Sequence, residues 1–422
     1  MRHTAPMDEV WDGRWVSDRL GIALESDPAA PLEGWIGLAL RRRSTRAHLL
    51  VSHVLGKHIP LDPRAAYGVG MRLGEHTREV LDGEAAVVIG YAETATALGH
   101  AVADELSVTC LHSTRRSVSG VRPALTFQES HSHAPGHVLL PEDPALLAKP
   151  HPIVLVDDEL STGHTALNTI RALHQLCPRD RYVISALVDV RSPADEALVG
   201  TVADELGTRI TVVSGTRGHV RVPVGALAKA SELLAAQVPT EPKRPAASAE
   251  VHLVDPDWPA GLPESGRHGY TFENRRRMEI AARGVAARLS EQVQGDRVLV
   301  LGTEELMHTP MIIAASLADW TRAGQSVRFS STTRSPVTAV DEPGYAIRTA
   351  LTFAAHEDGA EGERYAYNVA PANGQPAYTD IVLVVDEVGD TAPLWSSDGL
   401  VAALAGVCER VFVVTLPTYR PA

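Results

Sequence analysis

The chain is organised around residues 151–167, which read His-Pro-Ile-Val-Leu-Val-Asp-Asp-Glu-Leu-Ser-Thr-Gly-His-Thr-Ala-Leu. The four apolar residues Ile153 to Val156 predict a short strand that is buried on both faces, as in a parallel sheet. Two aspartates stand where that strand should end, and a tight loop follows them. A helix is predicted from Ala166 to Gln175. The stretch therefore predicts a strand, an acidic strand end, a loop and a helix in direct succession.

The predicted loop has the properties of an anion-binding site. Backbone N–H groups without partners and the positive end of a helix dipole meet between a strand end and a helix start. Gly163 lets the backbone approach a ligand closely, and the hydroxyls of Thr162 and Thr165 add donors. Asp157 and Asp158 can accept hydrogen bonds from sugar hydroxyls or hold Mg²⁺. The alternative is an ordinary turn with solvated acids. The stretch is neither a Walker loop nor a Gly-x-Gly-x-x-Gly loop.

This stretch resembles the 5-phosphoribosyl-1-diphosphate (PRPP) signature of type I phosphoribosyltransferases, in which an apolar strand, two acids and two spacers precede Thr-Gly-x-Thr. The resemblance implies that Asp157 and Asp158 are catalytic residues that hold the ribose 2′- and 3′-hydroxyls and Mg²⁺. It also implies that the loop holds the 5′-phosphate through Ser161, Thr162, Gly163, His164 and Thr165.

Length, charge and composition limit the class of protein. A chain of 422 residues is too long for one ordinary core and predicts two domains. The formal net charge of −13 argues against a nonspecific nucleic-acid binder, which needs a basic face. Three separated cysteines suit a reducing cytosol. Because no signal peptide or membrane span is visible, we expect a cytoplasmic protein without a membrane partner.

Two further loops carry groups that suit anions. Residues 85–89 predict a second buried strand, and small and hydroxyl residues follow it. The resemblance implies that this loop binds pyrophosphate through Gly90, Tyr91, Ala92, Glu93 and Thr94. Lys57 and His58 lie between Gly56 and Pro60, where cations could meet a phosphate or a substrate carboxylate. Plain connections between secondary-structure elements are the alternative for both loops.

The segment between Arg116 and His137 has little periodic hydrophobicity, which is typical of a long mobile loop or hairpin. We interpret it as a lid that carries cationic and acid–base groups over the diphosphate. The candidate catalytic residues there are Arg115, Arg116, His131 and His133. A metal cluster that includes the histidines is the alternative, but no second ligand segment accompanies them.

Strands and helices alternate beyond the central motif. Residues 182–188 predict another strand, which ends at Asp189 and Arg191, and a helix is predicted from Ser192. This alternation predicts a doubly wound parallel sheet, whose ligands lie at the carboxyl ends of the strands. An acceptor would meet Asp189 and Arg191 there. Plain surface charges are the alternative for these two residues.

The C-terminal part of the chain repeats the N-terminal part in outline. Residues 381–387 correspond to the central strand and its acids, and residues 331–337 correspond to residues 113–118. Asp390 stands where the phosphate would lie and should repel it. We therefore expect an α/β protein with two tandem phosphoribosyltransferase-like (Rossmann-type) domains, parallel sheets flanked by helices, and a degenerate second copy. That copy predicts a separate ligand or acceptor site, with a structural or dimer-forming role as the alternative. The site residues are Thr333, Arg334, Ser335, Asp386 and Glu387.

Residues 333–336 read Thr-Arg-Ser-Pro. With them, the whole chain resembles the phosphoribosyltransferase-like proteins of bacterial tellurium-resistance and stress-response clusters, which carry a C-terminal TRSP domain. Residues 51–60 and 131–134 resemble N-terminal motifs of the same family. A Pro-rich stretch predicts a linker at 237–266. It separates a phosphoribosyltransferase domain at 1–236 from a TRSP domain at 267–422.

Together these features predict a PRPP-dependent phosphoribosyltransferase, which is a glycosyltransferase of the pentosyl class. It would use Mg²⁺, transfer the 5-phosphoribosyl group to a base-like or small-metabolite acceptor, and release pyrophosphate. Its partners would be PRPP and the acceptor, without nucleic acid; a homodimer is left open. The alternatives are a non-catalytic PRPP-binding regulator and an enzyme that makes or hydrolyses PRPP, although no ATP loop is visible.

Overall fold

The computed structural model describes residues 14–26, 31–41, 47–116, 118, 120–127, 136–236, 249–357, 359–372 and 378–421. The helices are α1 (Trp15–Leu20), α2 (Pro63–Leu81), α3 (Ala95–Leu106), α4 (Ala145–Ala148), α5 (His164–Leu176), α6 (Pro193–Leu206), α7 (Ala226–Ala236), α8 (Phe272–Gln292), α9 (His308–Ala318) and α10 (Leu400–Ala405). Short 3-10 helices span Leu32–Gly34 and Ala392–Trp395. The strands of the N-terminal half are β1 (Ala23–Ser26), β2 (Ile36–Leu40), β3 (His48–Ser52), β4 (Val87–Gly90), β5 (Thr109–His112), β6 (Leu125–Phe127), β7 (His137–Leu139), β8 (Ile153–Leu160), β9 (Arg181–Asp189) and β10 (Arg209–Arg221). The strands of the C-terminal half are β11 (Glu250–Val254), β12 (Arg297–Gly302), β13 (Ser326–Ser331), β14 (Ala350–Ala354), β15 (Glu363–Tyr367), β16 (Asp380–Asp386) and β17 (Arg410–Leu416).

The first sheet has the strand order β1-β10-β9-β8-β4-β5. Neighbours from β10 to β5 are parallel, and β1 is added antiparallel at the edge. Because parallel strands end on the same side of a sheet, the loops after β4, β5, β8 and β9 meet there. We call this side the first carboxyl edge. The predicted parallel α/β architecture is confirmed for this sheet.

The central strand is longer than its apolar run predicts. β8 continues through Asp157 to Leu160, whereas the sequence placed its end at Val156. The reason is the neighbouring strand β9, which continues to Asp189 and pairs with β8 as far as Leu160. Strand β10 is also long, with 13 residues. Helix α5 begins at His164, earlier than the predicted Ala166.

The second sheet has the order β11-β17-β16-β12-β13, and every neighbouring pair is parallel. The loops after β12, β13 and β16 form the second carboxyl edge. Its outer strand β11 lies within the range 237–266 that the sequence assigned to a linker.

Two segments cross between the sheets and pair with the edge strand of the other sheet. Before α2, Leu61 exchanges backbone hydrogen bonds of 3.1 and 2.8 Å with Phe329 of β13. Before α8, Tyr270 exchanges bonds of 2.7 and 2.9 Å with Cys110 of β5. The two halves are therefore joined by a reciprocal exchange of backbone hydrogen bonds.

One hydrophobic core continues through both halves. Leu98 of α3 and Met311 of α9 are buried in the same cluster. Between these helices the rings of His100 and His308 stack, with centroids 4.0 Å apart. No helix in the described part of the chain is long and apolar enough to cross a membrane.

Candidate active site

The loop between β8 and α5 presents a row of backbone donors. Gly163 has a φ of +78°, a left-handed conformation that favours glycine. The backbone N–H groups of Ser161, Thr162 and Gly163 donate to no other described residue. They stand at the start of α5, which is 13 residues long. Free N–H groups at a helix start can bind an anion such as a phosphate.

Asp157 and Asp158 precede this loop in the last part of β8, and both are half-buried. The backbone N–H of Asp158 donates to Asp157 Oδ1 at 2.9 Å. Among the described residues, no group of three or more His, Cys, Asp and Glu side chains could hold a metal ion. Mg²⁺ is usually held by one or two carboxylates together with substrate phosphates. This pair of acids therefore fits a metal ion that binds together with a phosphorylated substrate.

The loop after β4 lies beside the loop between β8 and α5, because β4 and β8 are neighbours in the sheet. It is packed closely against α3, since a Cβ on Gly99 would lie 2.9 Å from the Cα of Gly90. The backbone N–H groups of Glu93 and Thr94 donate to no other residue that the structure describes. A second anion-binding position thus lies next to the first.

Lys57 and His58 have different environments. The Nζ of Lys57 donates to Thr94 Oγ1 at 2.6 Å, so this cation reaches the loop after β4. His58 is buried against Tyr367 of the C-terminal half, with ring centroids 5.5 Å apart. Burial, together with the charge of Lys57, lowers the pKa of His58 well below its ordinary value. The structure therefore assigns the positive charge of this pair to Lys57 alone.

Two of the four predicted lid residues, Arg115 and Arg116, lie in the described part of the chain. His131 and His133 lie outside the described residues. Arg115 Nε donates to His137 Nε2 at 3.0 Å. The side chain of Arg116 is only 8% exposed, and it pairs with three acids of the C-terminal half: Glu305, Glu357 and Asp386. Burial alone would lower the pKa of Arg116, but these acids raise it well above its ordinary value. Arg116 is thus an interior cation, whereas the sequence placed it in a closing lid.

Asp189 and Arg191 form a buried ion pair after β9. Arg191 Nε and Nη2 donate to the carboxylate at 2.8 and 2.7 Å. Burial raises the pKa of Asp189, but the hydrogen bonds and charge of Arg191 outweigh it and hold the pKa below its ordinary value. A Cβ on Gly163 would lie 3.3 Å from Arg191 Cδ. The pair predicted for the acceptor therefore lies against the loop between β8 and α5.

Residues 35–219 match the model of a family described as phosphoribosyl transferase, and residues 264–404 match the TRSP domain that lies C-terminal to it. The chain belongs to the phosphoribosyl transferases that carry a C-terminal TRSP domain. This part of the sequence prediction is confirmed. We call the two halves the transferase domain and the TRSP domain.

Several solved structures are similar to part of the chain. They include the APRTase from Giardia lamblia, 20% identical over 44% of this chain and 94% of that chain, with a TM-score of 0.31. Adenine phosphoribosyltransferase from Rhodothermus marinus is 16% identical over 44% of this chain and 96% of that chain, with a TM-score of 0.31. The enzyme from Trypanosoma brucei is 13% identical over 43% of this chain and 76% of that chain, with a TM-score of 0.32. No curated protein matches the chain.

Most of the residues predicted to form a second site in the TRSP domain contact other residues of the protein. Thr333 Oγ1 donates to Glu93 Oε2 of the transferase domain at 2.9 Å. Arg334 pairs with three acids: Glu93, Glu304 and Glu357. Asp386 is fully buried and pairs with Arg116 and Arg267. Glu387 is exposed. Arg334 and Asp386 therefore form ion pairs with other residues of the protein.

A buried group of charges between the two carboxyl edges was not predicted. We call it the interior charge cluster. Its members are Glu93, Arg116, Glu264, Arg267, Glu304, Glu305, Arg334, Glu357, Arg364 and Asp386. Burial raises the pKa of Glu305, but Arg267 and Arg116 outweigh it and lower the pKa to about 2. The available sequence signal was Glu304-Glu305 after β12, at the position that Glu93 has after β4. No local pattern connects these acids to arginines that are distant in the chain.

Proposed function

We propose that the chain transfers the 5-phosphoribosyl group of PRPP to a small acceptor and releases pyrophosphate. The observation that carries the proposal is the first carboxyl edge, where two loops with free backbone N–H groups follow adjacent strands. PRPP has a phosphate at one end of its ribose and a diphosphate at the other. Two neighbouring anion positions with a pair of acids in β8 suit such a ligand.

In this proposal each group of PRPP has its own partner. The loop between β8 and α5, which contains Gly163 and which we call the phosphate loop, holds the 5′-phosphate. Lys57 and the loop after β4 hold the leaving diphosphate. Asp157 and Asp158 accept hydrogen bonds from the ribose hydroxyls. A lone pair of the acceptor forms a bond to ribose C1 while the C1–O bond breaks, and that electron pair leaves with pyrophosphate. The acceptor then releases its proton to water. The two carboxylates stabilise the positive charge that develops on the ribosyl group.

Mg²⁺ fits this donor set. Asp157 and Asp158 would hold it together with oxygens of the substrate. When bound, the ion neutralises negative charge on the leaving diphosphate.

We place the acceptor, a base-like molecule or small metabolite, beside Asp189 and Arg191. Because the Arg191 guanidinium is occupied by Asp189, the pair would act as a rigid wall of the acceptor pocket. Asp189 or Arg191 could attract an ionic acceptor only if this ion pair opened.

We also propose that the TRSP domain is a degenerate copy of the transferase fold. The order β9-β8-β4-β5 of the first sheet corresponds to β17-β16-β12-β13 of the second. After the edge strands, the N–H of Ser113 donates to Gly90 O at 2.9 Å, and that of Thr332 donates to Gly302 O at 3.0 Å. A hairpin follows in both domains, β6–β7 and β14–β15. The domain boundaries at 236 and 267 are also part of this proposal. Strand β11 lies between them and pairs with β17 of the second sheet.

The test is PRPP binding to Asp157→Asn/Asp158→Asn, measured by titration calorimetry with Mg²⁺ present. We expect the wild-type chain to bind PRPP and the double variant to lose affinity by at least about tenfold. The matched control is Asp204→Asn/Glu205→Gln, which removes two adjacent exposed acids from α6 and should bind normally. Equal affinity of both double variants would contradict the site.

Turnover is tested separately, by following pyrophosphate release with pooled small metabolites as acceptors. Release that depends on an acceptor supports the transferase. PRPP binding without release from any acceptor would support the non-catalytic regulator. A wild-type chain that does not bind PRPP would contradict both.

A further inference from the structure

Glu93 is an acid within the loop that we propose for pyrophosphate. An ionised carboxylate that faced this ligand would repel it. The side chain of Glu93 is only 10% exposed, and it is occupied by the TRSP domain. Its Oε2 accepts a hydrogen bond from Thr333 Oγ1 at 2.9 Å, and its Oε1 lies 3.3 Å from Arg334 Nε. The TRSP domain therefore supplies a hydrogen-bond donor and a nearby cation for this acid, and the backbone donors of the loop remain for the ligand.

Both TRSP residues are themselves held in place. The backbone N–H and C=O of Thr333 pair with Tyr365, with hydrogen bonds of 2.9 Å in each direction. Thr333 Oγ1 accepts from the N–H of Ser335 at 3.1 Å, so its own hydrogen is available for Glu93. Arg334 is also fixed by two acids of the TRSP domain, Glu304 and Glu357. The partners of Glu93 are thus rigid groups with one orientation.

A similar contact joins a threonine of the transferase domain to an acid of the TRSP domain. Thr114 Oγ1 of the transferase domain donates to Glu305 in the loop after β12, with 2.9 and 2.8 Å to the two carboxylate oxygens. The backbone of Thr114 pairs with Val138 at 3.0 and 2.9 Å, and its Oγ1 accepts from the N–H of Arg116 at 3.0 Å. Each domain therefore holds the acid in the other domain's loop. In the transferase domain that acid lies in the loop after β4, where the N–H groups of Glu93 and Thr94 donate to no other described residue.

We propose that Thr333 and Arg334 are positioning residues of the transferase site. They hold the carboxylate of Glu93 away from the pyrophosphate and fix the loop between Gly90 and Thr94. The TRSP domain thereby sets the affinity of the transferase domain for PRPP. This inference rests on the proposed function, because it assigns that loop to pyrophosphate.

The first test compares Arg334→Gln with a matched control, Arg410→Gln. Both remove an arginine of the TRSP domain from a buried acid, but Arg410 pairs with Asp380 and has no contact with Glu93. We expect Arg334→Gln to weaken PRPP binding about tenfold and the control to change it less than about twofold. Thr333→Val keeps the size of the side chain and should weaken binding about threefold; it replaces Arg334→Gln if that variant does not fold.

The second test separates a charge effect from a loss of packing. If Arg334 neutralises Glu93, then Glu93→Gln introduced into the Arg334→Gln variant should restore most of the PRPP affinity. A general loss of structure would not be repaired by this second change. A double variant as weak as Arg334→Gln alone would contradict the proposed neutralisation.

The third test needs no ligand. Hydrogen exchange of the amides at 91–96 should be faster in Arg334→Gln than in the wild type or in Arg410→Gln, because the loop loses its tether. If the wild type binds PRPP and Arg334→Gln equals it in both affinity and exchange, the inference is wrong and the proposed function stands. If the wild type does not bind PRPP, the proposed function fails and the affinity claim fails with it. The exchange rates then still show whether Arg334 orders the loop.

Discussion

The two carboxyl edges of this protein share the order of four neighbouring strands but differ in the partners of their polar groups. At the first edge, the loop after β8 keeps free N–H donors around Gly163. At the second edge, the loop after β16 turns back on itself, and the N–H of Gly389 donates to Asp386 at 3.1 Å. Asp386 is fully buried between arginines of both domains. One edge therefore keeps donors for a ligand, and the other uses its acids to join the domains.

This difference shows what decides whether such an edge can bind a ligand. Parallel strands bring loops together in both sheets. Ligand binding then depends on whether the polar groups of the loops already have partners in the protein. At the second edge, arginines from both domains occupy the acids, and a buried charge without a partner would be costly. Changing individual partners at each edge should therefore have different consequences.

The largest effect is expected from Asp386→Ala at the second edge. The variant leaves Arg116 and Arg267 buried without this carboxylate, so the free energy of unfolding should fall by about 3–5 kcal/mol. The measurement is denaturant unfolding. The neighbouring change Glu387→Ala affects an exposed acid and should cost less than about 0.5 kcal/mol. Similar losses in the two variants would mean that the interior charge cluster does not stabilise the protein.

A smaller effect is expected from Glu357, whose environment makes stability depend on pH. Burial raises the pKa of Glu357 to about 7 from the ordinary 4.5, against the effect of Arg116. Between these values the folded protein binds the proton more tightly than the unfolded chain, so ionisation destabilises the fold as pH rises. Glu357→Gln removes this titration. Between pH 4.5 and 7, the unfolding free energy of the wild type should therefore fall by about 2–3 kcal/mol more than that of Glu357→Gln.

Denaturant unfolding at a series of pH values measures this difference. Glu387→Gln, at an exposed acid, should leave the wild-type pH curve unchanged. If Glu357→Gln followed the wild-type curve as well, the pKa of Glu357 would be the same in the folded protein and in the unfolded chain.

The smallest change in stability is expected at the first edge, from Gly163→Ala. The φ of +78° strains a residue with a Cβ, which should cost about 1 kcal/mol of stability. The added Cβ would also crowd Arg191 Cδ at 3.3 Å and displace the phosphate loop. We therefore expect PRPP affinity to fall about tenfold, measured by titration calorimetry.

The control for this change is Gly207→Ala, at the end of α6. Gly207 has a φ of +63°, and its Cβ would meet no atom within 4 Å. The backbone strain is therefore similar, but the position is away from the loop, and PRPP affinity should not change. An equal loss of affinity in both variants would show that strain alone, and not the phosphate loop, is responsible.

The sequence predicted the first edge well because its signals are local. The apolar run of β8, the following acids and Gly163 lie within a few residues of one another, and each limits the backbone directly. The end of β8 was placed too early, because pairing with β9 carries the strand past its apolar run to Leu160. The charge of His58 was also misjudged, since the ring that buries it is Tyr367 of the other domain.

By itself, the sequence determined the strand–loop–helix unit around Gly163, the alternation of strands and helices and the family to which the chain belongs. Only the tertiary structure decided that Arg116 is an interior cation and that Thr333 and Arg334 bind Glu93. The physical reason is the range of the interactions. Backbone conformation follows from neighbouring residues, whereas burial and ion pairing depend on which distant side chains the packed domains bring together.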